Sequence, residues 1–196
     1  MAAYFFVNGM KVDFESMLAM EHTRMAKMFK CLEDTGLKGF REASSSVYEA
    51  VVVEFFTNAK VITGTIVSFI ANRKQALKKD VFAEAFGLPI EGLAGFLDIP
   101  SKIVAEMRLK FLGTNVPFRA PNKKKDMKME YRLLHDIVAK TLCAKAGSFD
   151  VVKSEKFDLM VAITVGLKVN WAHVLFQILV AMVNTPTKKS QGLRCK

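Results

Sequence analysis

Between Arg119 and Arg132 the chain reads RAPNKKKDMKMEYR, four lysines and two arginines in fourteen residues. Cations at that density suit the phosphates of a nucleic acid, which they grip without reading bases and release as salt rises. The six candidates for this contact are Arg119, Lys123, Lys124, Lys125, Lys128 and Arg132. A competing reading makes the stretch a solvated loop that leads into a helix with internally matched charges, because Asp136 stands four residues from both Arg132 and Lys140. Positive side chains at a helix N-terminus oppose its dipole, so helix stability does not account for them. Only Phe118 and Tyr131, at the edges, offer rings on which a base could stack.

Other patterns carry less chemistry. Asp34-Thr35-Gly36 matches the triplet of retroelement aspartic proteases, but that triplet follows a strand, whereas here it closes a helical pattern with Gly36 as the stop. His22, His135 and His173 stand apart from one another and from any carboxylate or cysteine at metal-ligand spacing. His173 and Gln177 lie one helical turn apart and read as a polar edge. The stretch GLPIEGLAGF holds neither a dinucleotide fingerprint nor a P-loop lysine. Cys31, Cys143 and Cys195 are odd in number and widely spaced, which suggests no disulfide framework and no zinc site and fits a reducing compartment. The acids form no visible two-metal cluster. No catalytic residue, metal or cofactor is therefore expected.

The elements that must position these groups belong to a chain of 196 residues, 51% hydrophobic and 24% charged, enough for a substantial core. Its net charge of +10 is uneven: the segment from Arg119 to Lys145 carries +5 and that from Thr185 onward +4. Asp13 is placed to cap a first helix whose apolar positions run from Phe14 to Leu32, and Ser46 with Glu49 has capping-box spacing before a second. The methionines Met17, Met20, Met25 and Met28 of the first helix read as core filling, although methionine also makes adaptable partner surfaces. The β-branched run from Val61 suggests a two-stranded ribbon turning at Ala71–Lys74. Short helices follow before Gly87 and from Pro100 or Ser101, then a proline-containing loop over 114–126 and a helix from Asp126 to Gly147. Ser154 and Asn170 are placed to cap two final helices, the last ended by Pro186. Its apolar stretch of 13 residues is short of the roughly 20 a bilayer requires, so no membrane partner is expected. The N-terminus lacks the pattern of a secretory signal.

The stretches VYEAVVVEFFTNAKV, GTIVSFIANRKQAL, DVFAEAFGLP and MKMEYRLLHDIVAKTLCAKAGSFDVVKSEKFDLMVAITVGLKVNW together resemble the plant transposon protein domain family, encoded beside retroelement remnants in plant genomes. The likeness covers about residues 12 to 183. It implies a mainly helical domain of unknown biochemical activity and supplies no catalytic or ligand-binding residues; the acidic triad of a transposase is not visible. The ending TPTKKSQGLRCK reads as cut from a longer frame. The expectation is a mainly α protein: a single helical domain of about seven helices with a small β-hairpin over residues 1–184, then a basic, disordered tail over 185–196. It would act without catalysis, in the nucleus or cytoplasm, as a gag-like or accessory retroelement protein that binds nucleic acid weakly and electrostatically through the basic loop. The alternative is a protein-interaction or self-assembly module using the Met-rich helix or the His173/Gln177 edge.

Overall fold

The stretch SEKFDLMVAITV is apolar on every side of a helix, so it is stable only where other elements surround it. The computed structural model, which describes Ala19 and residues 23–37, 48–96, 99–112, 116–142 and 150–184, places it at the centre. The fold is mainly helical, with seven α-helices among the described residues. They are α1 (Thr23–Asp34), α2 (Glu49–Asn58), α3 (Lys79–Ala85), α4 (Ser101–Phe111), α5 (Met129–Ile137), α6 (Ser154–Val165) and α7 (Trp171–Asn184). Helices α1, α4 and α5 pack against α6, which buries Phe157, Leu159, Met160, Val161, Ala162 and Ile163. Met28, Phe29 and Leu32 of α1, Met107 and Phe111 of α4, and Leu134 and Ile137 of α5 join the same buried cluster. Met25 packs partly buried against it, so the described methionines of α1 are core, as their spacing suggests. Among the described residues no helix is long and apolar enough to cross a membrane.

The expected ribbon has one strand more than the sequence pattern indicates. Strands β1 (Lys60–Ile62), β2 (Thr65–Ile70) and β3 (Arg73–Leu77) form an antiparallel sheet in that order. Thr63-Gly64 and Ala71-Asn72 make its two turns, all four residues at positive φ, the backbone of two-residue hairpins whose twist matches that of the strands. Helix α2 lies on one face of β2, where the buried Ser68 donates its hydroxyl proton to the Phe55 carbonyl at 2.7 Å. The segment over 114–126, read as a loop, also contains a strand: β4 (Asn122–Lys123) pairs antiparallel with β5 (Val151–Val152). A two-residue strand gives no periodicity to read.

Several helix ends differ from expectation in their caps. Asn170 accepts the His173 amide proton at 2.9 Å, as a capping residue should, and α7 ends at Asn184. Ser154, by contrast, is already helical, and Lys153 precedes α6 without a side-chain cap. The helix expected from Asp126 starts at Met129, after a 3-10 turn over Lys124–Asp126, and passes into a π-helical segment over Val138–Leu142. Asp13, Ser46, Gly147, Pro186, His22, Cys143, Cys195, Met17, Met20 and the tail over 185–196 lie outside the described residues.

Helix α1 ends as its glycine suggests. Gly36 has φ +79°, and the Leu37 amide reaches back to the Leu32 carbonyl at 3.3 Å. A side chain at Gly36 would also meet Pro89, whose Cγ lies 2.6 Å from an ideal Cβ. The Pro89 carbonyl accepts the Ala172 amide at 3.0 Å, so this turn joins the end of α1 to the start of α7. Asp34-Thr35-Gly36 is thus a helix end, with the Thr35 hydroxyl bonded to the Leu32 carbonyl at 3.0 Å. Gly36→Ala should destabilise the fold by about 2 kcal/mol through backbone strain and the Pro89 contact. Urea unfolding followed by the emission of the single, fully buried Trp171 measures this; an unchanged midpoint would contradict it.

Candidate nucleic-acid interface

The basic stretch is held down by backbone pairing and by an aromatic floor. The Phe118 amide donates to the Arg108 carbonyl at 2.8 Å, Leu112 and Met127 form an antiparallel bridge, and the Lys128 amide donates to the Phe111 carbonyl at 3.0 Å. Lys123 lies opposite Val151 in the β4–β5 pair, and the Lys124 amide bonds the Asp150 carbonyl at 2.7 Å. Beneath, Phe111 stacks on Tyr131 with centroids 4.3 Å apart, and Phe118 stacks on Phe157 at 5.0 Å. Phe118 is 0% and Tyr131 6% exposed. The two rings that could have stacked on bases are core residues, because Phe118 packs on Phe157 of α6 and Tyr131 on Phe111 of α4.

That packing divides the six candidate cations into two sets. Lys124 is committed to Asp136, its ammonium lying 2.8 and 3.0 Å from the two carboxylate oxygens. Arg132 does not pair with Asp136 as its spacing suggests. Its Nε donates to the Met127 carbonyl at 2.6 Å and a terminal nitrogen donates to the Lys125 carbonyl, clamping the turn that precedes α5. Arg119, Lys123 and Lys125 are exposed, and Lys128 is half-buried. Four of the six therefore keep their charge available for a partner.

Lys128 also belongs to a second group that counting along the sequence does not reveal. It lines a cavity of about 500 Å³ beside α1, α4 and α5, together with Arg24, Lys27, Lys30 and Lys110. Arg24, Lys27 and Lys30 recur every three residues, which places them on one side of α1. Asp34 and Glu130 are the acids of the lining, so the cavity carries a net +3. The sequence signal was the R-x-x-K-x-x-K spacing in α1, hidden because α1 as a whole carries acids as well. The approach of Lys110 and Lys128 is tertiary and leaves no local pattern.

Two potential nucleophiles border this cavity and both are quiet. Burial, with the Glu130 charge adding, pushes the Tyr131 hydroxyl up to about 12. Burial and the Asp34 carboxylate likewise raise the Cys31 thiol, whose Sγ lies 3.8 Å from the Thr164 carbonyl oxygen. Each keeps its proton at neutral pH, which suits packing rather than nucleophilic attack. Among the described residues no three His, Cys, Asp or Glu side chains gather where a metal ion could sit. His173 is half-buried and Gln177 exposed near the middle of α7.

Among the described residues His135 is a titrating group strongly altered by the fold. It is fully buried beneath the Lys124–Asp136 pair, with Nδ1 3.8 Å from an Asp136 oxygen. Burial, reinforced by the Lys156 ammonium and opposed by Asp136, holds its pKa down to about 4. Compared with known proteins, the chain matches no family model, no curated protein and no solved structure.

Because the unfolded chain binds the His135 proton near pH 6.5 and the folded chain only near 4, stability should fall as pH drops through that window. The loss is on the order of 3 kcal/mol and complete below pH 4. His135→Leu should lack this part of the pH dependence, as read by urea midpoints from pH 7 to 4. Parallel curves for the variant and the parent chain would contradict it.

Proposed function

We propose that the chain is a non-enzymatic nucleic-acid-binding protein that grips phosphates electrostatically, in the manner of a gag-like protein of a plant retroelement acting in the nucleus or cytoplasm. The observation that carries this reading is the convergence of Arg24, Lys27, Lys30, Lys110 and Lys128 on one cavity with a net +3. Like charges do not gather at a helix-packing edge to stabilise it, since their repulsion opposes folding unless an anion offsets it. Arg119, Lys123 and Lys125 extend the cationic segment that ends at Lys128, which makes Lys128 the link between loop and cavity. A phosphate backbone running from the loop into the cavity would meet repeated cations along its path. Phosphate contacts of this kind give affinity and register without sequence preference.

The contribution of each cation is legible in the salt dependence. Removing one lysine–phosphate pair lowers the slope of log affinity against log salt by about 0.9 on duplex DNA and about 0.7 on single strands. Replacing Lys27, Lys30, Lys110 and Lys128 with glutamine should therefore reduce the duplex slope by about 3.6 and weaken low-salt binding at least tenfold. Fluorescence anisotropy with a labelled oligonucleotide at several salt concentrations measures both, and an unchanged slope would refute the assignment. Asp136→Asn acts in the opposite direction: it releases Lys124 from its ion pair, so affinity should rise about two- to threefold and the slope steepen by up to about 1. Weaker binding by that variant would place Lys124 outside the interface.

A further inference from the structure

We propose that the outer face of the three-stranded sheet is a contact for single-stranded nucleic acid, with an unpaired base stacked on Phe69. The alternation along the strands sorts their side chains. Val61, Ile66, Ser68 and Leu77 turn inward, with Ile66 and Ser68 fully buried, which directs Lys60, Ile62, Val67, Phe69, Lys74 and Ala76 to the opposite face. Phe69 is 50% and Ile62 55% exposed. The ring therefore stands half in water near the turn end of the central strand.

The register surrounds that ring with positive charge. Lys74 on β3 lies directly opposite Phe69, and Lys60 on β1 lies opposite Val67, one step along the same face. Lys74 sits about 5 Å from Phe69 at Cβ and Lys60, on the diagonal, about 7 to 8 Å, so both long side chains can reach a phosphate whose base covers the ring. No side chain that alternates onto this face is acidic. Asn58 fixes the strand beneath, its amide donating to the Phe69 carbonyl at 3.1 Å.

Two bland explanations account for less. Lysine and arginine on an exposed edge strand deter pairing with other chains, which explains Arg73 and Lys74 on β3. It does not explain an exposed ring on β2, the central strand, which β3 pairs over residues 66–70 and β1 over residues 65–67, with the Phe69 carbonyl already taken by the Asn58 amide. A half-exposed apolar residue taken singly also has no special meaning. Here Ile62, Val67, Phe69 and Ala76 share one face between lysines, the combination of π-face and cations that binds single strands. A duplex keeps its base faces covered, so the stacking contact selects unpaired nucleotides. The basic cavity lacks this chemistry because Phe118 and Tyr131 are buried. The inference rests on nucleic acid being the ligand and deepens that reading by naming the strand state.

The test uses the full chain with a twenty-nucleotide oligo(dT) and a duplex of equal length, both labelled, at two salt concentrations. Phe69→Ala should bind oligo(dT) about tenfold more weakly with an unchanged salt slope and bind the duplex as the parent chain does. Phe69→Trp should retain affinity, and the emission of the introduced indole should be quenched on saturation with oligo(dT). If Phe69→Ala binds oligo(dT) normally and the indole is not quenched, the sheet contact is refuted, while salt-dependent duplex binding would leave the cavity reading intact. If the glutamine variants of the cavity bind normally but Phe69→Ala does not, the cavity reading fails and the sheet contact stands. Absence of binding to either oligonucleotide at low salt overturns both. A concentration-dependent increase in mass by light scattering that Phe69→Ala abolishes would assign the face to self-association and overturn the inference.

Discussion

The packing beneath the basic residues follows from the need to cover α6. Its buried side chains project in all directions, and each of Phe157, Leu159, Met160, Val161 and Ile163 would cost about 1.5 to 3 kcal/mol if returned to water. Helices α1, α4 and α5 supply the cover with one apolar side each, which obliges their polar sides to face outward. Where the three meet, those polar sides carry Arg24, Lys27, Lys30, Lys110 and Lys128. The cationic cavity is thus built by hydrophobic packing, and its charge is set by residues that packing leaves free to vary.

The same constraint decides what the basic stretch can do. Phe118 and Tyr131 enter the core as part of the cover, and Met127, 1% exposed, anchors the turn between them. With that turn fixed, Arg132 reaches the carbonyls of Met127 and Lys125, and Lys124 reaches Asp136 across twelve residues of chain. Both cations are used to hold the segment in place. A charged hydrogen bond to a carbonyl or a carboxylate is stronger than a neutral one, which makes the geometry costly to disturb. The cations on either side are left pointing at solvent. In this division of labour two of the six candidates position the surface and four form it.

The helical part of this arrangement was legible in the sequence because apolar spacing, Gly36 and Asn170 each act locally. The extra strand β1 was not, since three residues beside a two-residue turn leave too short an alternation to read. Strand β4 was concealed within a charged, proline-containing segment, and its partner β5 lies far along the chain. At the site, the exposed cations of the loop could be found by counting, whereas the pairing of Asp136 could not. Helix spacing offered Arg132 and Lys140 alike, yet the tertiary turn brought Lys124 to the carboxylate. The cavity cations come from two helices and the residue that precedes a third, so only the regular spacing in α1 carried any advance sign of them.

The central claim is that phosphates settle over the cavity beside α1, α4 and α5. Its most direct test is lysine acetylation footprinting of the full chain, free and saturated with oligonucleotide, read residue by residue by mass spectrometry. The account predicts protection of Lys27, Lys30, Lys110 and Lys128 on binding, while Lys124, already paired with Asp136, reacts slowly in both states. Unaltered reactivity at those four lysines in the saturated complex would contradict it.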